Sequence, residues 1–149
     1  MFKTILVALD GSKHAKRAAV VATDLAQRYK SRLQFITVTK KQPPRISDEL
    51  RHYMEIESLT GSPDELVSDA VGKILADAEK HARKKGVKQV QRIAQSGPVA
   101  RTITGYAKRQ KADLIVMGCR GLGEAEGLLL GSVSHKVASM ADCPVMTVR

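Results

Sequence analysis

Aromatic side chains are scarce: no tryptophan and five others (Phe2, Tyr29, Phe35, Tyr53, Tyr106) in 149 residues. With no cluster among them, unpaired bases would find no stacking platform. There are two cysteines, Cys119 and Cys143, and no second pair to build a metal knuckle or a disulfide framework. Both are expected to be free thiols. The four histidines (His14, His52, His81, His135) have no histidine partner at helical metal spacing. No apolar run approaches the ~20 residues of a membrane span. The opening stretch meets Asp10 too soon for the apolar region of a signal peptide, so a cytoplasmic location is expected.

Acids are also in deficit, 15 against 25 lysines and arginines, for a formal charge of +10. The imbalance is local. Asp48 to Glu79 holds nine acids and two bases, whereas Lys80 to Lys111 holds ten bases and no acid. A block of one sign can mark an anionic partner. No zinc-finger, RNP-type or basic-zipper pattern accompanies it. The run from Lys80 to Lys85 reads as the solvated end of a helix, where cations complement the dipole. Nucleic acid is therefore not the expected partner, and binding through the Lys80–Lys111 surface stays a lesser alternative.

What is present is ordinary globular composition, 43% apolar and 27% charged, at a length that suits one domain over residues 1–149. Lys3 to Leu9 is a short aliphatic run, the mark of a strand buried on both faces. After Gly11-Ser12, residues Ala15, Ala18, Ala19, Ala22, Leu25, Ala26 and Tyr29 form one helical stripe with Ser12 as its N-cap. Leu33 to Thr39 reads as a second strand. From Lys40 to Gly61, around Pro43-Pro44, the pattern is irregular, with a short acidic helix expected between Ser47 and Ser58. Ser62-Pro63-Asp64-Glu65 is a helix start, and Gly86 an end. Val87 to Ala94 is a polar strand suited to a sheet edge. A helix follows Gly97-Pro98, carrying Ile103 and Ala107 inward. Asp113 to Met117 is a central strand, Ser132 to Ala141 a helix, and Val145 to Val148 the last strand. This alternation predicts an α/β fold, a doubly wound five-stranded parallel sheet with helices on both faces.

In such a sheet ligands bind beyond the carboxyl ends of the strands, where the winding reverses. The richest loop there runs from Gly118 to Gly131, with five glycines in fourteen positions. Glycine permits positive φ and close approach, so main-chain N–H groups can converge on phosphate oxygens. Gly131-Ser132 adds the positive end of a helix and a hydroxyl, although Ser132 also reads as a plain N-cap. GxxxxGK[ST] is absent, and the would-be GxGxxG at Gly121 meets Glu126 where its third glycine belongs.

Gly118, Gly121, Gly131 and Ser132 fit the spacing G-x2-G-x9-G-[ST]. The stretch Gly118 to Val137 resembles the nucleotide-binding signature of the universal stress protein family, in its ATP-binding subgroup. Ile5 to Ser12 resembles that family's first strand and aspartate, and Cys143 to Val148 its closing strand. The resemblance implies a Rossmann-like, adenine nucleotide alpha hydrolase-like sheet that binds ATP with Mg²⁺. By position it puts Asp10 and the backbone of Ala8 and Val38 at the adenosine end. It puts Met117 and Gly118 beside the ribose, and Gly121, Gly131, Ser132 and Val133 on the phosphates. Arg120, between two signature glycines, either reaches a phosphate or is solvated. The resemblance also implies a homodimer through Val145–Val148, with a tetramer or a transporter partner compatible with it.

The expected function is that of an ATP-binding regulatory stress-response protein whose occupancy tunes oligomerisation or partner binding. No base is placed to activate water, so hydrolysis should be slow or absent; the family resemblance also admits slow autophosphorylation at Ser132 or Ser134. Glu124 and Glu126 would weaken triphosphate binding or help hold a metal ion. The alternative is a stress-linked interaction protein whose pocket is empty or holds AMP.

Overall fold

The computed structural model describes residues 1–40, 63–122 and 130–149. The helix expected between Ser47 and Ser58, the Ser62 cap and the acids Glu124 and Glu126 lie outside them. Elements alternate along the chain: β1 (Thr4–Ala8), α1 (Lys13–Tyr29), β2 (Arg32–Thr39), α2 (Pro63–Lys84), β3 (Val90–Ser96), α3 (Val99–Gln110), β4 (Leu114–Gly118), α4 (Ser132–Met140) and β5 (Val145–Val148). The strands form one parallel sheet in the order β3-β2-β1-β4-β5.

The strand order follows from burial. All five residues of β1 and of β4 are buried, as strands covered on both faces must be, and they pair in the middle of the sheet with Ala8 opposite Met117. Ile5 and Val7 of β1, with Leu9 just beyond its end, pack with Phe35 of β2 against α1 and α2. Leu6 and Ala8 pack with Ile36 against α3 and α4. The chain thus winds one way through α1 and α2, then returns past β1 and winds the other way through α3 and α4. The reversal falls between β1 and β4.

The alanine stripe of α1 is its buried face: Ala15, Ala18, Ala19, Ala22 and Ala26 are all in the core. Small side chains let this helix lie close to the sheet. Ser12 caps it, its hydroxyl accepting the Ala15 N–H at 3.1 Å. β3 is an edge strand with alternating exposure, as its polarity implied. It begins at Val90, opposite Leu33, rather than at Val87. Val87 is buried but donates its N–H to Ala82 O, so it completes the end of α2 around Gly86. β5 is the opposite edge, paired with β4 alone among the described strands and half-buried throughout.

Candidate functional site

Between the ends of β1 and β4 lies a cleft of about 390 Å³, within the range of small-molecule sites. Ala8, Asp10, Val38, Met117, Gly118, Arg120, Gly121, Gly131, Ser132 and Val133, the ten positions singled out in the sequence, all border it. So do Ile36, Val99, Ile103, Lys40 and Leu122, which were not. Ile36 and Val38 share one face of β2, and Val99 and Ile103 lie one turn apart on α3. The i, i+2 and i, i+4 spacings were the available signal, but the same spacings describe plain core. A larger hollow of about 620 Å³ lies between α1 and α2, on the other side of Asp10 and Gly11. It is walled mainly by helix sides and takes in no residue of α4, whereas the smaller cleft takes in the start of that helix.

Asp10 is held by a local turn. Gly11 adopts φ +86°, a conformation glycine alone takes cheaply, and this lets Asp10 Oδ1 accept the Ser12 N–H at 2.9 Å. The second oxygen, Oδ2, faces Gly121: a Cβ on that glycine would lie 2.9 Å from it. Gly118 has a different task. A Cβ there would lie 2.8 Å from the Ala15 nitrogen and 2.8 Å from His14 Cβ, in the first turn of α1. Its missing side chain lets β4 pass under that helix.

Two expectations about the glycine loop therefore need correction. Neither Gly118 nor Gly121 has the positive φ invoked for it, and Gly131 has φ −72°. Their value at this site is close approach, to a helix backbone at Gly118 and to a carboxylate at Gly121. Second, the N-cap of α4 is Gly131, and Ser132 is the first helical residue. Gly131 has no side chain to cap with, and the positive end of the helix dipole faces the cleft.

Cys119 ties this end together through its backbone. Its N–H donates to Val148 O at 2.8 Å, and its carbonyl accepts the Gly131 N–H at 2.6 Å and the Ser134 hydroxyl at 2.8 Å. The start of α4 is thereby linked to the last residue of β5. The Cys119 thiol is buried, with Sγ 3.3 Å from His14 Nδ1.

The cleft has two chemically distinct ends. Ala8, Ile36, Val38, Val99, Ile103 and Met117 make one apolar, while Arg120, Gly121 and the start of α4 make the other polar. Lys40 and Arg120 outnumber Asp10 among its described charges. The Arg120 Nε is buried without a hydrogen-bond partner, and buried guanidinium nitrogens left so are costly. Among the described residues no three His, Cys, Asp or Glu side chains gather to hold a metal. The groups with resolved pKa shifts stand elsewhere. Burial pushes the Cys143 thiol up, with Asp113 and Asp142 acting in the same direction. Burial likewise raises Tyr106, against the Arg109 guanidinium 5.7 Å from its ring centre. No described helix is long and apolar enough to cross a membrane.

Comparison with known proteins gives the same architecture a family. The model of the universal stress protein family matches residues 1–149. The chain is 40% identical to a universal stress protein from Thermus aquaticus, encoded in the QAH/OAS sulfhydrylase 3′ region, each chain being covered in full. The crystal structure of a universal stress protein in complex with cAMP superposes with a TM-score of 0.71 at 27% identity, over 99% of this chain and 97% of that one. Universal stress protein UspA from Lactobacillus plantarum shares the fold, with a TM-score of 0.74 at 24% identity over 99% and 97% of the two chains.

Proposed function

The chain belongs to the universal stress protein family, a stress-response family, and on that premise we propose that its cleft binds an adenine nucleotide as a regulatory ligand. The observation that carries this reading is the two-ended cleft, apolar beyond β1 and β2 and electropositive at the start of α4. An adenine nucleotide has the same two ends, a flat base and an anionic tail. A relative in the same fold carries cAMP.

In this reading the base lies over Ala8 and Val38, with the ribose near Met117 and Gly118. The phosphates lie against Gly121, Gly131, Ser132 and Val133, with the positive end of α4 behind them. Arg120 adds a guanidinium whose Nε has no protein partner. Asp10 belongs beside the ribose or base, because a carboxylate repels a triphosphate. ATP with Mg²⁺ is the proposed ligand. Asp10 is the one carboxylate among the described residues bordering the cleft. With Asp10 beside the ribose or base, Mg²⁺ would draw its ligands from the phosphates and water.

Turnover is proposed to be slow. No described residue at the cleft is an obvious base for in-line attack, so the rate falls far below the ~1–100 s⁻¹ of dedicated phosphoryl-transfer enzymes. If the chain phosphorylates itself, Ser132 is the better acceptor. It is exposed, whereas Ser134 is buried with its hydroxyl engaged by Cys119 O and Gly131 O.

Occupancy then acts on assembly. The link from α4 through Cys119 to Val148 gives a bound phosphate a mechanical route to edge strand β5, through which a homodimer would form. A tetramer, a transporter partner and a cytoplasmic site of action belong to the same proposal. Mass spectrometry of gently denatured protein should show co-purifying nucleotide, and sedimentation should shift toward dimer as ATP is added. An empty cleft with unchanged sedimentation would remove the reading. AMP is the second candidate, favoured by the monophosphate in the cAMP relative. Competition between AMP and ATP for the cleft decides between them.

A further inference from the structure

The cleft makes no use of the pole of the molecule farthest from it. In a parallel sheet with helical crossovers, every helix runs antiparallel to the strands. The ends of α1, α2 and α3 therefore come down beside the strand starts. Each end is basic and exposed: Arg28 and Lys30, Lys84 and Lys85, Arg109 and Lys111. The strand starts add Lys3, Arg32 and Lys88. Arg32 donates its N–H to Lys3 O and Leu33 donates to Gln89 O, which sets these segments side by side along one edge.

Three acids nearby are already engaged, while the exposed Asp24, one turn before Arg28, pairs with none of these bases. Asp113 accepts the N–H groups of Lys3 and Thr4, Asp142 pairs with Lys108, and Glu79 pairs with Arg83 and Arg92. None of the exposed bases at these helix ends and strand starts forms an ion pair with a described acid. The sequence shows one basic helix end, but the fold collects several.

Complementing a helix dipole accounts for Arg28, Lys84, Lys85 and Arg109. It bears equally on Lys30 and Lys111, but it does not account for their backbone conformation. Both end their helices in the left-handed conformation, at φ 55° and 52°, where a side chain is disfavoured and glycine is the usual residue. After α2 the chain does use glycine, Gly86 at φ 89°. Two lysines kept in an unfavourable conformation at one pole point to a use for their charge.

We propose that this pole binds the phosphate backbone of a duplex nucleic acid. Five strands about 4.8 Å apart make an edge roughly 20 Å wide, flanked by helices about 10 Å in diameter. That is the scale of one duplex turn, about 34 Å. A broad field of one sign reads backbone and not sequence. A single strand is disfavoured because the aromatics here are already engaged, Phe2 and Tyr29 edge to face on each other and Tyr106 under the Arg109 guanidinium. A lipid surface would need an apolar anchor, and the pole exposes only scattered apolar side chains, Met1, Tyr29 and Met140.

The test is fluorescence anisotropy of a labelled 20-base-pair mixed-sequence DNA duplex with the full chain, between 50 and 200 mM KCl. About five neutralised phosphates predict a log–log slope of about −4 to −5, a loss of roughly 250- to 1,000-fold across that range. Lys30→Gly with Lys111→Gly should weaken the slope by about one for each lysine. The same variant should raise the unfolding midpoint and leave nucleotide binding at the distant cleft unchanged. Lys84→Gln with Lys85→Gln should also weaken the slope, without the gain in stability. Absence of duplex binding at 50 mM salt overturns the proposal. So does a slope that neither variant changes, a lower midpoint in the glycine variant, or binding to phosphatidylserine vesicles in place of the duplex.

Discussion

Gly121 and Gly118 are two signature glycines with different neighbours, and replacing each by alanine should separate binding from folding. In Gly121→Ala the new Cβ meets Asp10 Oδ2 at 2.9 Å, the tip of a short side chain. The carboxylate can swing away, at the expense of the Oδ1 bond to the Ser12 N–H. A hydrogen bond of that kind contributes about 0.5–1.5 kcal/mol, and in a chain of this length 1 kcal/mol moves the unfolding midpoint by roughly 2–4 °C. The fold should survive with a small downward shift. Nucleotide affinity should suffer more, because Asp10 is displaced and the loop beside the phosphates is crowded. A loss of about 1.4 kcal/mol, or tenfold, is expected. In Gly118→Ala the Cβ meets a main-chain nitrogen and His14 Cβ, both at 2.8 Å. A helix backbone cannot swing away, so α1 must shift, and overpacking of this sort costs about 1–3 kcal/mol. Thermal melts by circular dichroism and calorimetric titration of nucleotide-stripped protein read the two effects. A folded Gly121→Ala variant with unchanged affinity would refute the reasoning, as would a Gly118→Ala variant as stable as its parent.

Other substitutions probe the supports around the cleft. Ser134→Ala leaves Cys119 O and Gly131 O without the buried hydroxyl and should lower stability by about 1–2 kcal/mol in a denaturant titration. Asp113→Ala removes a carboxylate that accepts two N–H groups at 2.8 Å, joining the start of β1 to β4. It should cost about 1–2 kcal/mol in the same assay while nucleotide affinity, measured at the far end of the strands, stays constant. Because the Cys143 thiol is raised above its ordinary 9.0 in the folded chain, the unfolded chain releases that proton first. The stability tied to this group is full below about pH 9 and is lost as pH rises through the folded value. Iodoacetamide should accordingly modify Cys143 more slowly in the native chain at pH 8 than in the urea-unfolded chain.

Much of the scaffold was legible because single elements carry their own signatures. The aliphatic run of β1 cannot alternate faces, so it had to be covered on both, and the alanines of α1 mark a helix pressed on a sheet. The polarity of β3 announced an edge. Its first residue was not legible, because an apolar Val87 looks the same whether it finishes a helix turn or begins a strand. Pairing with Leu33 decides, and pairing is tertiary. The site shows the same division. Glycine spacing pointed to the loop between β4 and α4, but not to what each glycine does. Whether Gly118 meets a ligand or the first turn of α1 depends on a segment a hundred residues earlier. The apolar wall of Ile36, Val99 and Ile103 was invisible because cleft and core are lined by the same side chains.

Calorimetric titration of ATP with Mg²⁺ into nucleotide-stripped full-length chain, repeated with Arg120→Ala and Asp10→Ala, addresses the nucleotide site most directly. The proposed arrangement predicts one site per chain, weakened when either end of the cleft is altered. Saturable binding that neither substitution changes, or no heat at millimolar ATP from a folded sample, would contradict it.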